Sequence, residues 1–170
     1  MTYEEFVDSW LAALARYAVM LTGDRHTAQD LVQETMVRVQ LQWRRVSRAD
    51  QPERYVKRMM ANLYVDWQRT PWWRRVLLRG VPDETIRIPG DLAEGAADRD
   101  MLWTLLASLP RQQRAAVVLR YYEDLPDVEI AEVLGCTVGT ARGYISRALS
   151  TLRVRLDDVG GRIVIPEGAR

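Results

Sequence analysis

The chain has 170 residues, a formal net charge of +1 and a single cysteine. This length suits one ordinary domain or two small ones, and one cysteine excludes an internal disulfide and a thiolate metal cluster. A single histidine, the lack of a glycine-rich phosphate loop and the lack of a nucleophile–base pattern argue against an enzyme, a metal site or another cofactor. No apolar run reaches the length of a membrane span and no signal peptide is evident. We therefore expect an intracellular protein without membrane insertion.

Charge is distributed in blocks that the net value hides. Residues 1–37 carry two bases and six acids, residues 38–79 carry eleven bases and three acids, and residues 80–100 carry two bases and six acids. A further stretch near the end of the chain, residues 137–155, carries four arginines and no acid. Two basic stretches separated by acidic ones predict a protein that touches a polyanion at two places.

Three helices are predicted in the first part of the chain. Thr2 begins a capping-box pattern, and the apolar stripe that follows it continues to Gly23. A second helix is predicted over about residues 25–44, because apolar side chains recur there at three- and four-residue steps. Pro52 suits the first turn of a third helix, which extends to about residue 69.

The chain divides into two helical parts. Residues 1–70 are predicted to form the first small domain. Residues 71–97 hold three prolines, three glycines and no sustained period, which predicts a flexible linker that is too long for a tight connection inside one bundle. Residues 98–156 are predicted to form the second helical domain, and residues 157–170 show no clear element. The expected fold is all-α.

The second domain contains a helix-turn-helix pattern within residues 129–153. Gly135 can adopt the left-handed conformation that ends a short apolar helix, and Thr137 can cap the next helix. One face of that next helix is apolar, and the opposite face carries Arg142, Gly143, Ser146 and Arg147.

The charges of this helix pair favour DNA binding over simple packing. Residues 121–136 hold five acids and no base, whereas residues 137–155 hold four arginines and no acid. A basic second helix suits insertion into the major groove between phosphates. The alternative is the solvated outer face of an ordinary bundle helix. Gly143 argues against that alternative, because glycine inside a helix costs up to about 1 kcal/mol relative to alanine, so something should approach the helix closely there.

The sequence resembles the extracytoplasmic-function sigma factors of bacterial RNA polymerase. The stretch "DRHTAQDLVQETMVRVQ" is similar to the family's core-polymerase-binding helix, and "RYVKRMMANLYVDWQR" is similar to its helix for the −10 promoter element. The stretch "LPRQQRAAVVLRYYEDLPDVEIAEVLGCTVGTARGYISRALSTLR" is similar to the domain that reads the −35 element. The resemblance covers about residues 5–69 and 98–156. It implies sigma region 2 in the first domain and sigma region 4 in the second.

The resemblance implies a surface for core polymerase on the second helix. The family's core-binding positions correspond to Asp30, Gln33, Glu34 and Val37, which form a strip beside the apolar stripe. In the family this strip docks on a coiled coil of the largest polymerase subunit, and the second domain contacts the flap of the second-largest subunit. We expect Gln33 and Glu34 to matter only for polymerase, so that their substitution leaves the fold unchanged.

The resemblance also implies a −10 site on the third helix. Its outward face is predicted to carry basic, polar and small side chains: Arg54, Lys57, Arg58, Ala61, Asn62, Val65 and Arg69. The basic side chains can follow a phosphate backbone. The family captures an extruded base of the non-template strand here, and the amide of Asn62 suits the Watson–Crick edge of such a base.

On the recognition helix, the family's −35 contact positions correspond to Arg142, Gly143, Ser146 and Arg147. Gly143 stands where the family often has serine, and Tyr144 stands where a basic residue is frequent. Pro126 replaces the usual hydroxyl cap of the preceding helix. These departures concern which −35 sequence is read.

The resemblance implies a sigma factor that acts in the bacterial cytoplasm. It would bind core polymerase, read the −35 and −10 elements of promoter DNA and help to open the DNA. It would not catalyse a reaction itself. Two alternatives stay open on the residues alone. One is a helix-turn-helix repressor or activator that acts without core polymerase, and the other is an inhibitor module that binds a sigma factor. An anti-sigma factor as a further partner, the promoter sequence, the inducing signal and the roles of Trp72, Trp73 and the tail are left open by the sequence.

Overall fold

The computed structural model describes residues 1–69 and 97–159. In these ranges the chain is helical and contains no strand, as the sequence predicts. The helices are α1 (Tyr3–Thr22), α2 (Arg25–Leu41), α3 (Trp43–Val46), α4 (Pro52–Arg69), α5 (Ala97–Ala107), α6 (Arg111–Tyr121), α7 (Asp127–Leu134) and α8 (Val138–Val159). The predicted linker, apart from Ala97, lies outside the described residues, as do Trp72, Trp73 and the tail beyond Val159. None of the described helices is long and apolar enough to cross a membrane.

Local capping sets the bounds of α1. The Thr2 hydroxyl accepts a hydrogen bond from the backbone N–H of Glu5 at 3.2 Å, and the Glu5 carboxylate accepts from the backbone N–H of Thr2 at 2.8 Å. This confirms the capping box. Gly23 ends the helix with φ +70°, a conformation that glycine adopts without strain.

The predicted end of the second helix is wrong. The helix α2 ends at Leu41, and Gln42, with φ −110° and ψ 18°, turns the chain into the short helix α3. This turn buries Val46 completely and brings the Trp43 ring to 5.6 Å from the Phe6 ring, centroid to centroid. Packing of these side chains favours the bend, whereas the periodicity of the segment alone predicts a straight continuation.

The helix-turn-helix of the second domain is confirmed. Gly135, with φ +61°, ends α7, and the Thr137 hydroxyl accepts a 3.1 Å hydrogen bond from the backbone N–H of Thr140 in the first turn of α8. The helix α7 begins after Pro126 without a side-chain cap. The expectation of no element after residue 156 is wrong for three residues, because α8 continues to Val159.

The two helical domains, α1–α4 and α5–α8, pack against each other. Their buried side chains form one continuous hydrophobic cluster. The helix α1 lies against α5 and α6, and α4 lies against α7. We call this contact between the domains the seam.

A buried arginine joins the domains at one end of the seam. Arg114 of α6 donates from Nε to the carbonyl oxygen of Leu21 at 2.8 Å and from Nη2 to that of Thr22 at 2.6 Å. Nη2 also donates to the Tyr64 hydroxyl at 3.1 Å. The last carbonyls of a helix lack partners within the helix and carry its negative dipole end. The guanidinium therefore binds a site that suits a cation, although no carboxylate is among the groups it bonds in the described part of the chain.

Gly23 is needed at this junction for a second reason. A Cβ atom at this position would lie 2.8 Å from Nη1 of Arg114 and 3.1 Å from the Cα of Ala107. Any side chain here would therefore displace the second domain as well as strain the backbone.

Candidate polymerase and nucleic-acid interfaces

The strip predicted to bind core polymerase lies along α2. Val37 is 55% exposed, and Leu41, one turn further on, is 80% exposed. Asp30, Gln33 and Glu34 are half-buried on the same helix. Two exposed apolar side chains beside acidic and amide groups form a surface on which a partner can bury apolar area while meeting polar groups at its edge.

Glu34 also has a role inside the first domain. Its Oε2 accepts a 2.8 Å hydrogen bond from the indole Nε1 of Trp67, and its Oε1 accepts from Arg38 at 2.9 Å. Trp67 is buried, so its N–H requires an acceptor. The expectation that Glu34 matters only for polymerase is therefore wrong, because this carboxylate also holds α4 against α2.

The predicted −10 residues occupy different environments on α4. Asn62 is exposed, as expected, and Arg54 and Arg58 are also exposed. Ala61 and Val65 are buried, so their prediction as outward-facing residues is wrong. The helix α4 lies among α1 and α2 of its own domain and α7 of the second domain. The period of one helix does not indicate this packing. The side chain of Arg69 lies outside the described residues.

The prediction of Lys57 as an outward-facing residue is also wrong, because its side chain points into the seam. Its Nζ lies 3.0 Å from Oε1 of Glu123, and the two side chains are only 15% and 7% exposed. The same ammonium lies 5.1 Å from the centre of the Tyr122 ring and 5.9 Å from that of Tyr17. The two rings are stacked 5.6 Å apart, so the cation is held by both a carboxylate and aromatic faces.

Arg58 and Arg54 also bind the second domain. The Nη1 of Arg58 lies 3.0 Å from Glu129 and its Nη2 lies 3.1 Å from Glu132, so the guanidinium fork bridges two acids of α7. The Nη2 of Arg54 donates to the carbonyl oxygen of Glu123 at 3.3 Å. Three of the predicted −10 residues are thus paired with the acidic stretch of the second domain.

Sequence reasoning missed Glu123 as a partner of this basic face. Taken by itself, the excess of acid in residues 121–136 indicates only a contrast to the basic recognition helix. The available signal is the basic stretch of residues 38–79, which precedes it and carries eleven bases and three acids. Complementary charge between the two stretches predicts that they can pair when the domains meet.

The predicted −35 residues lie together on α8 behind the capped turn. Arg142, Ser146 and Arg147 are exposed, and Ala141 and Ile145 on the opposite side are buried. The Arg147 guanidinium lies over the Tyr144 ring, 5.5 Å from its centre. A Cβ atom on Gly143 would lie 3.3 Å from Nη1 of Arg147. The group that approaches the helix at Gly143 in this structure is therefore the Arg147 side chain.

Arg142 is held by the preceding helix. Its Nε donates to Oδ2 of Asp127 at 2.7 Å, and Oδ1 of the same carboxylate accepts from Nη2 of Arg120 at 2.7 Å. The exposed recognition face is thus tied to α6 and α7 through one aspartate.

The chain matches two known families in the order that this architecture requires. Residues 6–74 match Sigma-70 region 2, and residues 99–152 match Sigma-70, region 4. The RNA polymerase sigma-E factor of Streptomyces avermitilis is 36% identical over 159 residues, which cover 92% of this chain and 86% of that protein. The ECF RNA polymerase sigma factor SigL of Mycobacterium tuberculosis is 30% identical over 158 residues, which cover 90% of this chain and 88% of that protein.

Solved structures share the fold. The sigma factor RpoE of Bartonella quintana, solved in complex with the anti-sigma factor NepR, aligns with a TM-score of 0.63 and 23% identity over 91% of this chain and 96% of that one. The extracytoplasmic function sigma factor SigJ of Mycobacterium tuberculosis aligns with a TM-score of 0.60 and 24% identity over 94% of this chain and 56% of that one. From the two matched regions and the curated relatives, the chain belongs to the extracytoplasmic-function sigma factors, which direct RNA polymerase to promoters.

Proposed function

We propose that in this sigma factor α8 binds the −35 element, α4 binds the −10 element and α2 binds core polymerase. The recognition helix carries the proposal: Arg142, Ser146 and Arg147 are exposed on one face of α8, directly after a capped helix-turn-helix. Arginine side chains on such a helix can donate paired hydrogen bonds to a guanine edge. We assign Arg142, Gly143, Ser146 and Arg147 to the −35 element.

The −10 element is assigned to α4. Arg54, Lys57, Arg58 and Arg69 would follow the phosphate backbone, and Asn62 would bind the extruded base. In the structure, Lys57 and Arg58 are already paired with acids of the second domain. Binding of DNA at this face therefore requires α7 to move away from α4, so that phosphates replace the carboxylates of Glu123, Glu129 and Glu132.

Core polymerase is assigned to the strip of Asp30, Gln33, Glu34 and Val37 on α2. A coiled coil of the largest subunit would bury Val37 and the neighbouring Leu41, and the second domain would bind the flap of the second-largest subunit. The two domains would bind separate places on polymerase. The free energy of these two contacts would offset the loss of the contacts in the seam. The protein would act in the bacterial cytoplasm, without catalysing a reaction itself. An anti-sigma factor is a further candidate partner, because RpoE, which shares the fold, is held by one.

In-vitro transcription with core polymerase over a promoter library tests the proposal. The complete chain should bind duplex DNA weakly by itself and should direct specific initiation only when core polymerase is added. A repressor or activator would instead bind duplex DNA tightly alone, with half-sites about one helical turn apart. An inhibitor would suppress transcription by another sigma factor and select no sequence.

A further inference from the structure

Asp127 occupies a central position behind the recognition face. It is the first residue of α7, and each of its carboxylate oxygens has an arginine partner. Oδ2 accepts from Nε of Arg142 at 2.7 Å, and Oδ1 accepts from Nη2 of Arg120 at 2.7 Å. The Asp127 side chain is 16% exposed, whereas that of Arg142 is 70% exposed. The aspartate is therefore a mostly covered support for a side chain that reaches into solvent.

Arg120 fixes the orientation of this carboxylate. Its Nη1 donates to the carbonyl oxygen of Leu125 at 3.2 Å while its Nη2 binds Asp127. One guanidinium thus holds both the backbone before α7 and the side chain that begins it. Because both oxygens of Asp127 are engaged, the carboxylate has a single orientation from which to hold Arg142.

The bond to Asp127 uses one specific edge of the Arg142 guanidinium. A guanidinium has five N–H donors, one on Nε and two on each terminal nitrogen. With Nε engaged, the two terminal nitrogens are left to form the end-on pair of hydrogen bonds that recognises O6 and N7 of guanine. A long arginine side chain loses rotamer entropy when it is ordered, and a partner that orders it before DNA arrives reduces that loss on binding.

We propose that Asp127 is a positioning residue that sets the base preference of Arg142 at one base pair of the −35 element. This inference rests on the proposed function, in which α8 reads that element. Asp127 acts through Arg142 and not by contacting DNA, because its side chain is only 16% exposed whereas that of Arg142 reaches into solvent. Its negative charge also opposes non-specific attraction of α8 to phosphate.

The competing role for Asp127 is structural. An acid in the first turn of a helix stabilises the positive dipole end, and α7 has no side-chain cap at Pro126. The two roles predict different changes on substitution. Loss of a structural residue weakens binding to every sequence alike. Loss of the positioning residue lowers discrimination between bases, and removal of its charge leaves the affinity for DNA in general equal or higher.

The test compares wild type, Asp127→Asn, Arg142→Ala and the double variant as full-length chains in holoenzyme, on a library randomised over the −35 element. Asp127→Asn should reduce discrimination at one base pair by roughly three- to tenfold, a part of what a bidentate arginine contributes. Total transcription from poor −35 sequences should not fall. In the Arg142→Ala background, Asp127→Asn should produce no further change at that base pair. Asp158→Asn, which removes the same charge from an exposed position of α8, is the control and should leave the preference unchanged.

Three results would overturn the inference. They are an unchanged base preference of Asp127→Asn, a uniform loss on all sequences accompanied by a lower melting temperature, and an equally large effect of Asp127→Asn when Arg142 is already alanine. Failure of the proposed function is distinguishable, because wild-type holoenzyme would then select no −35 sequence at all.

Discussion

Lys57 of α4 and Glu123, which follows α6, form an ion pair with 3.0 Å between Nζ and Oε1. Both side chains lie in the seam between the domains, where burial raises the pKa of the Glu123 carboxyl and the nearby Lys57 and Arg54 charges oppose that rise without cancelling it. A buried ion pair of this kind brings little net stability, because desolvation of the two charges offsets their attraction. The pair therefore suits a contact that, in the proposed function, separates when polymerase binds.

The raised pKa of Glu123 predicts how stability depends on pH. The folded protein holds this proton more tightly than the unfolded chain does, so the contribution of Glu123 is fully present below the ordinary glutamate pKa. It is lost as the pH rises through the raised pKa. The difference in unfolding free energy between wild type and Glu123→Gln should therefore fall as the pH rises above about 4. Denaturant unfolding at a series of pH values measures this difference, and a difference that stays constant or rises contradicts the assignment.

The exposed ion pairs of Arg58 predict that the seam can be opened by charge reversal. Glu129 and Glu132 bind the two ends of one guanidinium, and exposed pairs of this kind contribute at most about 1 kcal/mol each. Replacing both acids by lysine converts the attraction to repulsion, which should increase the radius of gyration in small-angle scattering at low salt. It should also strengthen binding of the free chain to single-stranded −10 DNA selected by holoenzyme.

A matched variant controls for net charge in that experiment. Glu4 and Asp8 are exposed acids of α1, and replacing both by lysine changes the total charge by the same amount. This control should leave the radius of gyration unchanged. If it expands the chain as much as the Glu129 and Glu132 double variant does, general charge repulsion and not the seam is responsible.

Substitutions at Glu34 and Gln33 should affect stability and polymerase binding differently. Glu34→Lys removes the acceptor of the buried Trp67 indole, and an unsatisfied buried donor costs about 1–3 kcal/mol. This variant should lose both thermal stability and core binding. Glu34→Gln keeps an acceptor oxygen and should keep most of the stability. Gln33→Lys should impair core binding with little change in melting temperature. Equal competition for core polymerase by all of these variants would remove the assignment of α2.

Gly143→Ala should stabilise the free protein. Alanine is better than glycine inside a helix by up to about 1 kcal/mol, and the atom nearest to the new Cβ is the far end of the flexible Arg147 side chain, at 3.3 Å. That side chain can move aside at little cost. Thermal unfolding should show a higher melting temperature, and the −35 preference should change at the base pair that Arg147 reads. A lower melting temperature would show that the position of Arg147 over Tyr144 is a structural contact.

The parts of the fold that could be predicted from the sequence are those fixed by neighbours along the chain. Thr2 and Glu5 satisfy each other three residues apart, Gly23 ends α1 through its own backbone, and Thr137 caps α8 within one turn. The missed features depend on partners far along the chain. Nothing in the period of α4 indicates that α7 covers part of it.

In the candidate site too, the features set by neighbours along the chain could be predicted, and those set by distant partners could not. The exposure of Asn62 agrees with the helical period, because this residue lies to one side of the apolar stripe of its own helix. The pairing of Lys57 with Glu123 depends on how two domains meet, and the bond from Trp67 to Glu34 depends on how α4 crosses α2. Such contacts are set by the geometry of packing, which the composition of one segment does not contain.

Asn62 gives the test that separates promoter opening from duplex reading. Its side chain is exposed on α4, and exposed substitutions usually change stability by less than about 0.5 kcal/mol. Asn62→Ala should therefore keep the melting temperature and core binding of wild type. It should lower the fraction of promoter DNA that is opened. Unstacking the base still costs free energy, and the variant no longer forms the hydrogen bonds to the captured base that offset this cost.

A promoter with a pre-melted bubble should recover only part of the activity, since melting is no longer needed while capture is still impaired. Permanganate footprinting of holoenzyme on duplex and bubble templates measures both steps. Equal opening of the duplex by wild type and Asn62→Ala would remove Asn62 from the site, and a large drop in melting temperature would show that it supports the fold.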